Sequence, residues 1–246
     1  EPIINYNINT FNAIGQLDAE NEGQFDGNFV HNYADTLITD LFDIEGDSDP
    51  VKGIEKEGVL ILGAWMEIYR ALYTSVQSCT IPVEEQSIHK NFIKINLDEA
   101  AALWIGRLQN HGDNTRGTML YNLAERVAIH FNQDHGEARV NTEFLQKLNK
   151  MKAVIDADKC TGGKDATNIG YFQLYEIFQD IVGIMNTPLI QNLIHYIATN
   201  ADHKVIELYL LALMPQLRSC NMDYFDILIQ DIGLLSANEY RNDDLV

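Results

Sequence analysis

The 246-residue chain carries 36 acidic and 17 basic residues, which gives a formal net charge of −19. Such a negative field repels nucleic-acid backbones and anionic membrane surfaces, so neither is an expected partner. The field attracts cations, and the alternative interpretation is that the acidic surface serves solubility. Hydrophobic residues make up 46% of the chain, enough for a folded core, and no apolar run approaches the roughly 20 residues that a membrane-spanning helix needs.

The N-terminal quarter of the chain predicts an arm followed by two helices. Residues 1–24 are rich in Asn, Gly, Glu and Gln, which favours an irregular arm. Residues 26–43 repeat apolar side chains at helical spacing, which predicts the first helix. Residues 51–78 are apolar on nearly all sides, as is typical of a helix buried at the centre of a bundle.

Two neighbouring segments follow, of which only the second has clear helix signals. Residues 89–96 are ambiguous, whereas residues 97–106 predict a short helix. Asp98 and Glu99 would lie in the first turn of this helix and Gly106 at its end, as the helix dipole and glycine capping favour.

Another pair of helices is predicted in the middle of the chain. An apolar stripe over residues 119–131 indicates one helix, and a second runs to about Ile155. Asn141 or Thr142 is the expected N-cap of this second helix, because short polar side chains favour that position.

The C-terminal part predicts a helical hairpin and two further helices. Residues 172–182 form the first arm of the hairpin, and Thr187-Pro188 is expected to start the next helix, because proline suits a first turn. A helix over residues 204–219 is expected to kink near Pro215, and the last helix to start near Asn221.

The period of 3.6 residues dominates the chain, and the period of 2 that marks strands is nearly absent. We therefore expect an all-α protein, a single bundle of about eight to ten antiparallel helices over residues 25–235. Residues 236–246 form a polar tail in this interpretation.

The three cysteines, Cys79, Cys160 and Cys220, show no metal-binding spacing. One disulfide with one free thiol and three free thiols are both compatible with the sequence. The excess of acidic over basic residues favours a secreted or cell-surface protein over a cytosolic one.

No sequence motif predicts catalysis. Phosphate-binding glycine loops, the zinc motif His-Glu-x-x-His and the nucleophile elbow Gly-x-Ser-x-Gly are all missing from the sequence. We therefore predict that the protein is not an enzyme.

A set of oxygen donors suggests a metal site. Tyr121 and Glu125 are four residues apart and share a helix face, while Asp98 and Glu99 lie on the preceding predicted helix. Carboxylates with a phenolate suit a hard ion such as Fe(III). In the alternative reading, Asp98 caps its helix, Glu99 serves the helix dipole and Tyr121 packs in the core.

Histidines extend this candidate set. His130 and His135 follow Glu125 at intervals of five, which would spread them around a continuous helix, whereas a turn after Phe131 would bring the two histidines together. The predicted metal ligands are Glu99, Tyr121, Glu125 and His130, and the alternative is that the histidines are ordinary surface residues.

Three segments resemble known proteins: residues 97–106 (LDEAAALWIG), 117–125 (GTMLYNLAE) and 214–220 (MPQLRSC). Together they resemble a secreted helical family, expanded in diatoms and related algae, whose function is not settled. The first segment is also similar to part of the algal iron-assimilation proteins of phytotransferrin type, which are extracytoplasmic and bind ferric iron. The Gly-x-His-x-x-Glu pattern of imelysin-type proteins is absent.

The resemblance implies an extracellular or cell-surface protein that binds a cation, with iron as its cofactor. Its expected partners are a metal cation or a protein, including a second copy of the chain. The alternative function is a structural or interaction protein of an algal cell surface or extracellular assembly, without catalysis.

Overall fold

The computed structural model describes residues 38, 49–82, 86–110, 115–134, 138–164, 167–220, 224 and 227. The predicted arm and tail lie outside these residues. So do the helix predicted over residues 26–43 and the one predicted from near Asn221, apart from the single described positions.

The described residues are all-α, as predicted: most are helical and none of them forms a strand. They contain six continuous helices, against the eight to ten expected for the whole bundle. None of these six combines the length and apolarity that a membrane span requires. The helices are α1 (Asp49–Gly58, the π-helical turn Val59–Ala64, then Trp65–Ser78), α2 (Gln86–Ile105), α3 (Leu120–Ala128, ending in the 3₁₀ turn Ile129–Phe131), α4 (Arg139–Asp156), α5 (Ile169–Ala198) and α6 (His203–Cys220).

The described chain divides into two compact units. The central unit spans Gly63–His195 and contains the second part of α1, all of α2 to α4 and most of α5. The terminal unit contains the described residues up to Leu62 and from Tyr196 onward, and in it the start of α1 packs against α6. The extent of a single bundle over residues 25–235 stays a prediction.

Helix α1 matches the helix predicted over residues 51–78. Its π-helical turn accommodates one extra residue in the helical repeat, which shifts the buried face of the helix. Leu60, Ile61 and Leu62 are consequently all buried, while Val59 at the start of the turn is exposed.

Helix α2 merges two segments that the sequence predicted to be separate. Asp98 and Glu99 therefore lie inside a 20-residue helix instead of in its first turn, so the expected dipole role of these acids is wrong. Gly106 ends the helix as predicted, with φ of +73°, and its N–H donates to the carbonyl of Ala102 at 2.8 Å. The merger follows from one buried stripe that runs through both segments at spacings of four and three: Ile93, Leu97, Ala100 and Trp104.

Helix α5 also merges two predicted helices, because Pro188 lies inside a 30-residue helix and starts no new one. A proline removes one backbone hydrogen bond and crowds the preceding turn. The buried stripe nevertheless continues through it, and the side-chain amide of Asn192 donates to the Pro188 carbonyl at 2.8 Å. The residues buried along this stripe in the central unit are Leu174, Phe178, Ile181, Met185, Pro188, Leu189, Asn192 and Leu193.

A disulfide joins Cys79, at the C-terminal cap of α1, to Cys160 in the loop between α4 and α5, with Cα atoms 5.0 Å apart. The sequence was compatible with one disulfide or with three free thiols, and the structure contains the disulfide. Cys79 is fully buried, and Cys220 has no part in this bond.

The buried side chain of Asn168 fastens the same loop by hydrogen bonds. Its amide nitrogen donates to the carbonyls of Cys79 at 2.9 Å and Gly163 at 2.8 Å. Its oxygen accepts the N–H of Tyr171 at 3.1 Å, which makes Asn168 the N-cap of α5. One side chain thus ties the start of α5 to the end of α1.

Removal of the disulfide is expected to destabilise the central unit. The two cysteines are 81 residues apart, and closing a loop of that length lowers the entropy of the unfolded chain by an amount worth about 4 kcal/mol. Urea unfolding of the Cys79→Ala/Cys160→Ala double variant should show this loss against the wild type. The Cys220→Ala variant, which keeps the disulfide, is the control. Equal unfolding midpoints for the double variant and the wild type would contradict the expectation.

Candidate functional site

The structure places the four predicted metal ligands in different surroundings. Glu99 is half-buried on α2, with its carboxylate 3.6 Å from the guanidinium of Arg70. Arg70 also donates to Glu67 at 2.8 Å, and this hydrogen bond lowers the pKa of Glu67. Glu99 therefore belongs to a surface ion-pair group between α1 and α2.

Glu125 is buried on α3, with 1% of its surface exposed. One carboxylate oxygen accepts the side-chain amide of Asn141 at 2.8 Å, and the other accepts the N–H of Ala138 at 3.3 Å. A buried carboxylate needs hydrogen-bond donors to offset its lost hydration. These two contacts therefore stabilise Glu125 in its buried position.

Asn141 connects three helices of the central unit. Its side-chain oxygen accepts the indole N–H of Trp104 on α2 at 2.9 Å. Its nitrogen donates to Glu125 and also to the backbone carbonyl of Tyr121 on α3, at 3.1 Å. The Trp104 ring stacks on Phe144 of α4, with ring centroids 4.3 Å apart. We call Trp104, Glu125 and Asn141 the Asn141 network.

The Asn141 network also corrects the predicted cap of α4. The helix starts at Arg139, so neither Asn141 nor Thr142 is its N-cap, and the residue at that position, Ala138, offers no side-chain cap. The first N–H groups are instead accepted by distant side chains: Glu125 accepts that of Ala138, and Gln133 accepts that of Arg139 at 2.8 Å. A carboxylate at this place is favoured because the helix N-terminus carries partial positive charge.

The predicted ligands make different contacts within the fold. Among the residues that the structure describes, no group of three or more His, Cys, Asp or Glu side chains could hold a metal ion, so Glu99, Glu125 and His130 do not form one. Tyr121 is buried on the same helix as Glu125, and its carbonyl serves the Asn141 network. His135 lies outside the described residues.

The fourth predicted ligand, His130, has a partner that sequence reasoning missed. Its ring stacks on that of His195, with centroids 3.8 Å apart and planes inclined by 14°. His130 is exposed on the 3₁₀ turn that ends α3, and His195 is half-buried on α5. Burial and the neighbouring His130 lower the pKa of His195. No local signal could reveal this pair, because the two histidines are 65 positions apart.

Aromatic side chains of α1 and α5 form a second cluster. The ring of Phe178 lies 5.2 Å from that of Tyr69, and the ring of Tyr171 lies 6.1 Å from that of Tyr175. Burial raises the pKa values of Tyr73 and Tyr171 above that of an exposed tyrosine. The ring contacts between the two helices make this cluster part of their packing.

No protein-family profile, curated protein or solved structure matches this chain. The resemblance to algal proteins therefore stays a prediction.

The Asn141→Ala variant is expected to lose about 3 kcal/mol of unfolding free energy, because the buried carboxylate of Glu125 and the indole N–H of Trp104 would both lose a hydrogen-bond partner. Denaturant unfolding measures the loss. Thr142→Ala is the matched control, since Thr142 is the exposed neighbour on the same helix and should change stability by less than about 0.5 kcal/mol. A larger effect at Thr142 than at Asn141 would restore the predicted cap.

Alkaline conditions should destabilise the aromatic cluster. Because the pKa of Tyr171 is raised in the folded protein, its contribution to stability is complete below its unfolded pKa of about 10. The contribution is lost as the pH rises through the higher folded value. Urea unfolding between neutral and strongly alkaline pH should therefore show a smaller loss for Tyr171→Phe than for the wild type. Identical losses would show that burial of this phenol is not linked to stability.

Proposed function

We propose that this chain is a non-catalytic binding protein of the extracellular space or cell surface that takes up a metal cation. The observation that carries the proposal is the excess of acidic side chains, 36 against 17 basic ones. An uncompensated negative field raises the local concentration of cations.

The described ion pairs leave this excess of negative charge unchanged. Each pair cancels one acidic charge with one basic charge, so the net charge of −19 already includes them. The basic side chains are engaged in this way at Arg70–Glu67, Lys94–Asp156, Arg139–Glu143, Lys147–Asp180 and Lys152–Asp98.

The location outside the cytosol is supported by the Cys79–Cys160 disulfide. Disulfides form and persist in oxidising compartments, whereas cytosolic thiols are kept reduced. The non-catalytic part of the proposal rests on the sequence, which carries none of the catalytic motifs considered above.

Ferric iron is the cation that the algal resemblance implies, with Glu99 and Tyr121 among its proposed oxygen ligands. Glu99 is accessible on the surface, whereas Glu125 would have to give up its contacts to Ala138 and Asn141 to bind an ion. Glu99 is therefore the residue at which the iron proposal can be tested without disturbing the core.

A second candidate function, protein interaction without cation uptake, is favoured by an exposed apolar stripe on α5. At about 100° per residue, its four members fall within a sector of about 60° on one side of the helix. Gly183 lies on the same side and has open space around it. The members, all in the central unit, are Ile169, Phe172, Ile190 and Ile194, with exposures of 59%, 48%, 40% and 49%.

The test is elemental analysis of the protein after incubation with ferric citrate and dialysis, with and without a chelator. The proposal predicts stoichiometric metal that the chelator removes. If the ion is iron at the predicted oxygen ligands, Glu99→Gln retains less of it than the wild type, while Glu176→Gln, an exposed acid on α5, retains as much. No metal above background, together with self-association in sedimentation velocity, would replace this proposal with the second candidate.

A further inference from the structure

We propose that His130 and His195 form a two-histidine site for a borderline divalent transition metal, with Cu²⁺ bound most tightly and Ni²⁺ and Zn²⁺ less so. The inference rests on the proposed function of cation uptake and deepens it. It names a second site, separate from the proposed oxygen ligands Glu99 and Tyr121, and a different class of ion.

The imidazole rings of His130 and His195 lie close together. The end of α3 and the body of α5 bring the two imidazoles into ring contact, with centroids 3.8 Å apart. Bonds from such a metal to histidine nitrogen are about 2.0–2.1 Å long, and each nitrogen lone pair lies in the plane of its ring. The two stacked rings can therefore reach one ion together only after one of them turns out of the stack.

The side chain of His130 can change its orientation. Stacked rings must turn toward each other before both nitrogens can face one ion. His130 is exposed on a single 3₁₀ turn that ends at the left-handed residue Asn132, with φ of +59°, so its side chain can turn without disturbing the core. His195 is half-buried on a long helix and supplies the fixed half of the site.

The charge of the chain also favours the binding of a cation. The net charge of −19 draws divalent cations to the protein, where the neutral form of each imidazole is the ligand.

The two imidazole nitrogens determine which metal ions the site prefers. Two imidazoles suit Cu²⁺, Ni²⁺ and Zn²⁺, whereas Fe(III) prefers oxygen donors, and affinity for divalent ions peaks at Cu²⁺. Since no third His, Cys, Asp or Glu ligand joins the pair within the described part of the chain, water completes the coordination. The site is therefore open and its ion exchangeable.

Calorimetric titration with Cu²⁺, Ni²⁺ and Zn²⁺ tests the site, and electron paramagnetic resonance of the Cu²⁺ form reports its nitrogen ligands. We expect the wild type to bind Cu²⁺ with a two-nitrogen signature. His130→Ala should weaken binding about tenfold or more, since even the loss of an outer partner of a metal ligand costs that much. His203→Ala, an exposed histidine on α6, is the matched control and should bind like the wild type.

The outcomes separate the two proposals. Cu²⁺ binding that is unchanged in His130→Ala and His195→Ala would overturn the site while cation uptake survives. No binding of any cation by the wild type would overturn both. Because His195 is half-buried, circular dichroism checks its variant for folding, and the exposed His130 variant carries the test if the His195 variant unfolds.

Discussion

The hydrogen bonds of one buried amide, that of Asn141, hold α2, α3 and α4 together in the central unit. The amide satisfies the Trp104 indole, the Glu125 carboxylate and the Tyr121 carbonyl at once. Glu125 in turn accepts the N–H of Ala138 at the start of α4. The same contacts therefore fix the helix arrangement and occupy both carboxylate oxygens of Glu125.

The sequence predicts the helices well where periodicity alone decides them. The all-α class, the long helix α1 and the cap at Gly106 are confirmed. Predictions from local sequence signals are wrong where tertiary packing overrides those signals. Pro188 resembles a helix start, yet a continuous buried stripe keeps α5 intact through it. Asn141 resembles an N-cap, yet it is the third residue of α4 and its side chain bonds to α2 and α3.

The candidate site was less predictable than the fold, for a physical reason. Candidate metal ligands can be found from sequence only when neighbouring positions on one helix supply them, as with Tyr121 and Glu125 on α3. The pair of His130 and His195 instead depends on how the end of α3 meets α5. The disulfide is a similar case, since spacing alone did not select Cys160 as the partner of Cys79.

The most direct test of this account is a double-mutant cycle between Glu125 and Asn141, with Glu125→Met, Asn141→Leu and the double variant compared by denaturant unfolding. If the two side chains are structural partners, each single variant leaves the other side chain without its partner, whereas the double variant removes both partners of that hydrogen bond. The account predicts that the losses are not additive, with a coupling energy of about 1–3 kcal/mol. A coupling energy near zero would contradict it and would favour the alternative that Glu125 serves as a metal ligand.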